Sequence, residues 1–264
     1  MPNFAINTAG FHSREVNPEL AEAAAFTKAE NIQLEITDFA SPDVLDTGLS
    51  ERVDAIIKAL NGVTPRSSHG PFLDLTAASK DREIVAVCRK RHEQALGATA
   101  ETGAKIYVAH TNFNSLIRNK AYRNLFVERS LKFWLPLADW AGKKGITIVL
   151  ENLWEEGPEV QRQLADSGKH PHLKASFDNG HALVFSKRPA SQWTEVLGEA
   201  LAHCHLHDND GEEDRHWPVG KGKEAWPALV SALQRYAPGA LLVVESDRLA
   251  LNKESLQKLR ELWK

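Results

Sequence analysis

Cysteine is scarce in this chain. Its 264 residues include two, Cys88 and Cys204, which form no CxxC metal motif and are too few for a disulfide framework. Long apolar runs are missing as well. None approaches the roughly 20 residues that span a bilayer, and the first residues, Met-Pro-Asn-Phe-Ala, lack the basic and apolar regions of a signal peptide. A cytoplasmic protein with no membrane partner is therefore expected. There is no surplus of positive charge, because 32 Lys and Arg stand against 35 Asp and Glu, so general attraction to nucleic acid is excluded. Linkers, repeats and low-complexity segments are also lacking, which predicts one domain over residues 1–264. The sequence leaves a homo-oligomer open.

What the chain does contain is a set of short apolar runs that end in a histidine or a carboxylate. They are Arg66-Ser-Ser-His69, Ile106-Tyr-Val-Ala-His110, Ile146-Thr-Ile-Val-Leu-Glu151, Leu173-Lys-Ala-Ser-Phe-Asp178, Leu201-Ala-His-Cys-His205 and Leu241-Leu-Val-Val-Glu245. Runs of this length read as buried parallel strands, which have no polar face to show. Between them lie stretches long enough for helices. Asn17-Pro18-Glu19 opens a helix that runs to about Glu30. Asp46 to Leu60 has apolar residues at helical spacing and stops at Asn61-Gly62. Ser79 to Glu101, Tyr122 to Lys144, Glu159 to Ala165, Trp193 to Ala200, Glu224 to Tyr236 and Glu254 to Trp263 supply the rest. With Phe4 to Asn7 and Ile32 to Ile36 as the first strands, the pattern predicts a single (β/α)8 TIM barrel, an α/β fold whose site belongs at the C-terminal strand ends.

That rim collects His69, His110, Glu151, Asp178, His181, His205, Asp214, His216 and Glu245. A lone strand-end His or Asp is commonly a helix cap or a loop anchor. Four carboxylates around one axis would repel one another without a cation, and imidazole with carboxylate suits a divalent metal. Within strand seven, alternation turns His203 and His205 toward the axis and Cys204 outward. His203 is read as a deeper hydrogen-bonded core residue, and His207 as reaching the pocket. His12, His92, His170 and His172 read as solvated or loop residues. Phe11, Trp154, Phe185 and Trp217 are aromatics near the mouth, available to stack on a ligand ring or simply to seal it.

The stretches Ser68-His-Gly-Pro-Phe72, Leu150-Glu-Asn152, Phe177-Asp-Asn-Gly-His181, His205-Leu-His-Asp208 and Asp214-Arg-His-Trp-Pro-Val-Gly-Lys-Gly222 carry a family resemblance. The chain resembles the xylose isomerase-like TIM barrel superfamily. That group includes sugar isomerases and epimerases, inosose dehydratases, hydroxypyruvate isomerases and the endonuclease IV branch of abasic-site nucleases. The resemblance implies a four-ligand metal site of Glu151, Asp178, His205 and Glu245. It implies that His181 touches substrate or a second metal, and that His69, His110, Asp214 and His216 match the further ligands of a trinuclear zinc cluster in the nuclease branch.

Two readings of function follow. In the first, the protein is a metal-dependent sugar or sugar phosphate isomerase or epimerase, with zinc, manganese, magnesium or cobalt as cofactor. Glu151 and Glu245 move the proton through an enediolate, and His181, His207, Arg215, Trp154 and Trp217 bind substrate. The same scaffold would serve a dehydratase of a keto-sugar or inosose. The alternative is a zinc-dependent abasic-site nuclease. A nuclease needs cationic phosphate contacts, whereas the loops Thr37-Asp-Phe-Ala-Ser-Pro-Asp-Val44 and Asp208-Asn-Asp-Gly-Glu-Glu-Asp214 are acidic, so a nucleic-acid partner is not expected. Gly211 stands where the ketose 3-epimerase branch carries an arginine, which argues against that one branch. A non-catalytic sugar-binding protein would use the same ligands.

Overall fold

The computed structural model describes residues 2–8 and 15–264, so the expectations for Phe11 and His12 lie outside the described residues. Eight strands close into a barrel in chain order: β1 Asn3–Asn7, β2 Gln33–Ile36, β3 Ser67–His69, β4 Ile106–His110, β5 Thr147–Glu151, β6 Leu173–Asp178, β7 Leu201–Leu206 and β8 Leu241–Val244. Every neighbouring pair is parallel, and β8 closes on β1. The helices are α1 Leu20–Glu30, α2 Leu49–Leu60, α3 Arg82–Thr102, α4 Lys120–Lys143, α5 Glu159–Gly168, α6 Asn179–Phe185, α7 Ala190–Leu197, α8 Trp226–Tyr236 and α9 Leu249–Leu262. None of them is long and apolar enough to cross a membrane.

Local chemistry explains these boundaries. Asn61 ends α2 in the left-handed conformation that Asn tolerates, and Gly103 does the same for α3. Asn119 caps α4 by accepting from the backbone N–H groups of Ala121 and Tyr122. The Asn17-Pro18-Glu19 segment forms a turn rather than the first helical turn, with Asn17 Oδ1 accepting from Glu19 N, so α1 starts at Leu20. One helix was not anticipated. The strand-to-helix connection after β6 contains α6, started by Asp178, whose carboxylate accepts from His181 N.

Alternation splits the core in two. Outward-facing strand residues pack against the helices with Phe39, Trp134, Phe177 and Trp193 fully buried, and Cys204 lies in this outer layer as expected. Inside the barrel, Ala5, Ile106, Val108, Val149, Leu241 and Val243 form a dry plug. Strand register then sets the polar rim: His110 pairs with Glu151, Glu151 with Ser176, Ser176 with His203, and Asp178 with His205. One histidine departs from expectation. His92, read as solvated, is buried on α3, where its Nδ1 lies 2.8 Å from Tyr107 Oη.

Candidate metal centre

Three carboxylates converge on one imidazole nitrogen. His205 Nδ1 lies 3.1 Å from Glu151 Oε2, 3.2 Å from Glu245 Oε2 and 3.9 Å from Asp178 Oδ2. Yet both His205 Nδ1 and Glu151 Oε2 are buried without an aligned hydrogen-bond partner. Buried polar atoms are rarely left that way, and a cation between them would satisfy both. The four residues thus fit a divalent ion in donor type, burial and unmet bonding. On the other side of the ring, His205 Nε2 donates to Glu35 Oε1 at 2.6 Å, which fixes the tautomer and aims Nδ1 at the carboxylates.

Glu35 was missed by sequence reasoning. It is fully buried in β2 and accepts also from His203 Nε2 at 2.9 Å, while His203 Nδ1 lies 2.8 Å from Ser176 Oγ. The signal was present, since an acid flanked by Leu34 and Ile36 must face the barrel axis by alternation and there requires a partner. His203 is the core residue that was expected.

Two further ligand sets flank the first. His69 Nε2 and His110 Nε2 face each other at 3.3 Å, with Glu151 oxygens 3.8 and 3.6 Å away. His69 Nδ1 donates to the Gly70 carbonyl, so its Nε2 is the ring nitrogen turned toward His110 and Glu151. Beyond them, His181 Nε2 and His216 Nε2 lie 3.3 and 3.2 Å from Asp214 Oδ2. His181 Nδ1 donates to the Asn152 carbonyl, which turns Nε2 toward Asp214. His216 holds φ at +49°, a left-handed conformation uncommon for a non-glycine residue. All nine predicted ligands therefore gather in one cluster.

The supporting shell is equally fixed. Asn152 and Asp178 exchange two hydrogen bonds of 2.9 Å, tying the end of β5 to the end of β6. Asn179 bridges to the backbone of His207, whose Nε2 donates to Asp178 at 3.2 Å. A Cβ on Gly180 would collide with the His207 ring, which accounts for the Asn-Gly-His spacing. Asn7 Nδ2 donates to Glu245 at 3.4 Å.

Charge in this pocket is balanced by protons. Burial opposes ionisation of His205, but Glu245, Glu151 and Glu35 hold its pKa well above the ordinary value. For His181, burial is likewise outweighed by Asp178, Asp214 and Glu151. Burial would raise Glu151, yet His205, His110 and His69 hold it well below the carboxylate range. Asp178 is brought down to about 2 by His181 and His207 against its burial. Burial pushes His110 to about 3, so its imidazole is neutral and ready to ligate.

The substrate candidates divide. His181 and His207 are buried within the ligand shell, whereas Trp154 and Trp217 are 44% and 36% exposed at the mouth. The Arg215 guanidinium turns to its own loop, bonding Asp210 at 2.6 Å and Glu213 at 3.1 Å and lying over the Trp217 ring. Glu155, not anticipated, is buried beside Thr111, the residue after His110, and accepts from its hydroxyl.

Comparison with known proteins places this geometry. The family described as xylose isomerase-like TIM barrel matches residues 18–262. The uncharacterized protein MJ1311 of Methanocaldococcus jannaschii is 23% identical over 201 residues, covering 73% of this chain and 68% of that protein. Among solved structures, the TTHB071 protein from Thermus thermophilus, soaked with zinc chloride, is 26% identical, with a TM-score of 0.77 over 98% of this chain and 97% of its own. D-psicose 3-epimerase with D-tagatose, from Clostridium cellulolyticum, shares 16% identity and a TM-score of 0.77 over the whole of both chains, a likeness of fold.

Proposed function

Since the chain belongs to the xylose isomerase-like TIM barrel family, we propose that it is a divalent-metal-dependent sugar or sugar phosphate isomerase or epimerase. The observation that carries this reading is the convergence of Glu151, Asp178 and Glu245 on the orphaned Nδ1 of His205. These four residues would hold zinc, manganese, magnesium or cobalt. An ion bound there would supply Lewis acidity that lowers the pKa of a C–H bond beside a substrate carbonyl.

The remaining work falls to the chain. Glu151 and Glu245 rise from strands three positions apart around the barrel, so one removes the proton and the other returns it. His181 and His207 orient hydroxyl groups, and Trp154 and Trp217 offer faces to the sugar ring at the mouth. A substrate panel of ketoses, aldoses, sugar phosphates and inososes tests the proposal. Interconversion of isomers that is lost on chelation, restored by metal and absent in Glu245→Gln supports it; release of water from an inosose would assign the dehydratase instead. Binding of a sugar without turnover would make the protein a non-catalytic binder.

A second reading is favoured by the two flanking ligand sets. Glu151 turns one oxygen toward His110 and the other toward His69 and His205, as a carboxylate shared between ions would. Three ions would suit phosphoester hydrolysis. Anomalous scattering that counts three full zinc sites, together with nicking of an abasic duplex abolished by Glu151→Gln, would establish that reading.

A further inference from the structure

Beside the ligand cluster, on the same rim, lies a cleft of about 490 Å³ lined by Arg118, Lys120, Arg123, Lys187 and Arg188. Three acids share it, and two of them are already engaged. Glu156 bonds both Arg118 and Lys187 at 2.9 Å, and Glu159 bonds Arg188. The third, Glu155, forms the inner wall, where it accepts from the Thr111 hydroxyl and the Leu153 backbone N–H while burial raises its pKa. Lys120 and Arg123 have no acidic partner among the described residues. The Arg123 Nε is buried with no hydrogen-bond partner at all.

Cations grouped without enough acids to neutralise them point to an anion. Two helix starts add to the field. The 24-residue α4 begins at Lys120, and the 10-residue α5 begins at Glu159 with no side-chain cap. The cleft also adjoins the proposed reaction site, because Glu155 accepts from Thr111, next to His110. We infer that this cleft binds the phosphate of a phosphorylated sugar, with Arg123 and Lys120 as its principal donors. The inference rests on the isomerase or epimerase reading and names its substrate class. A terminal phosphate fits better than a polyanionic strand, because the cations form one compact group and the β7–α8 loop beyond carries Asp210, Glu212 and Glu213.

Calorimetric titration of the metal-loaded protein with inorganic phosphate tests this directly, with Lys120→Gln, Arg123→Gln and Arg123→Lys checked for unchanged circular dichroism. Saturable binding that weakens about tenfold or more in each Gln variant, the loss of one charge-assisted hydrogen bond, is the expected result, with partial recovery in Arg123→Lys. Phosphate affinity unchanged by these substitutions would put the anion on the metal ligands and overturn the assignment, whether or not the protein turns over unphosphorylated sugars. Duplex DNA bound with a steep, multi-ion salt dependence that Lys120→Gln and Arg123→Gln relieve would overturn it in favour of nucleic acid.

Discussion

Glu35→Gln keeps the shape of the side chain and removes its charge from beneath His205. In the structure this carboxylate accepts two bonds, 2.6 Å from His205 and 2.9 Å from His203, in a fully buried setting. Burial would raise its pKa, but His205 and His203 hold it well below the usual range, so the anion is the form that the fold requires. Losing a carboxylate that orients a ligating imidazole costs about 10- to 100-fold in metal affinity. Removing one partner from a buried charged group destabilises by about 3–5 kcal/mol, or roughly 6–20 °C in Tm for a chain of this size. Competition titration against a chromophoric chelator measures the first quantity, and thermal melting of chelator-treated protein the second. Zinc affinity within about twofold of the parent, less than a third of the 1.4 kcal/mol that a tenfold change represents, would refute the argument that Glu35 aims His205.

Two other outcomes follow. His92 is buried and neutral, its pKa pushed down from 6.5 to about 3, so the unfolded chain binds a proton that the folded chain excludes and stability falls as pH drops from 6.5 toward 3. Chemical denaturation should show His92→Phe losing about 2 kcal/mol less than the parent between pH 8 and pH 5; equal losses would count against a buried neutral imidazole. Metal binding should release protons, because His205 and His181 are held protonated by their carboxylates and must give those protons up to ligate. Zinc affinity should therefore rise with pH through neutrality, and calorimetry in buffers of different ionisation enthalpy should show net proton release; a pH-independent affinity would contradict this account of the charge balance.

The barrel was legible because parallel strands buried on both faces leave apolar runs, and a polar residue at the end of each run is costly without a purpose. Six of the nine residues that gather at the rim came from those ends, whereas His181, Asp214 and His216 came from the segments that follow β6 and β7. Three features were not legible. Alternation turns Glu35 toward the axis, but the partners that it meets there depend on β2 facing β7 across the barrel, a relation that no local pattern carries. His92 looked solvated because its helix is otherwise polar around it, whereas the Tyr107 hydroxyl that receives it comes from another element. The α6 helix is short, and it exists because Asp178 serves both as a strand end and as a helix cap. The basic cleft likewise combines the loop before α4 with Lys187 and Arg188 from far along the chain.

The proposed function turns on metal-dependent movement of a carbon-bound proton by Glu151 and Glu245. Incubation of the zinc- or manganese-loaded protein in deuterated water with ketoses, aldoses and their phosphates, followed by proton NMR, tests it most directly. Deuterium is expected at the carbon next to the carbonyl for at least one substrate, abolished by chelation and in Glu245→Gln. A fully metallated protein that exchanges no C–H proton in any of them, yet cleaves an abasic duplex through Glu151, would contradict it.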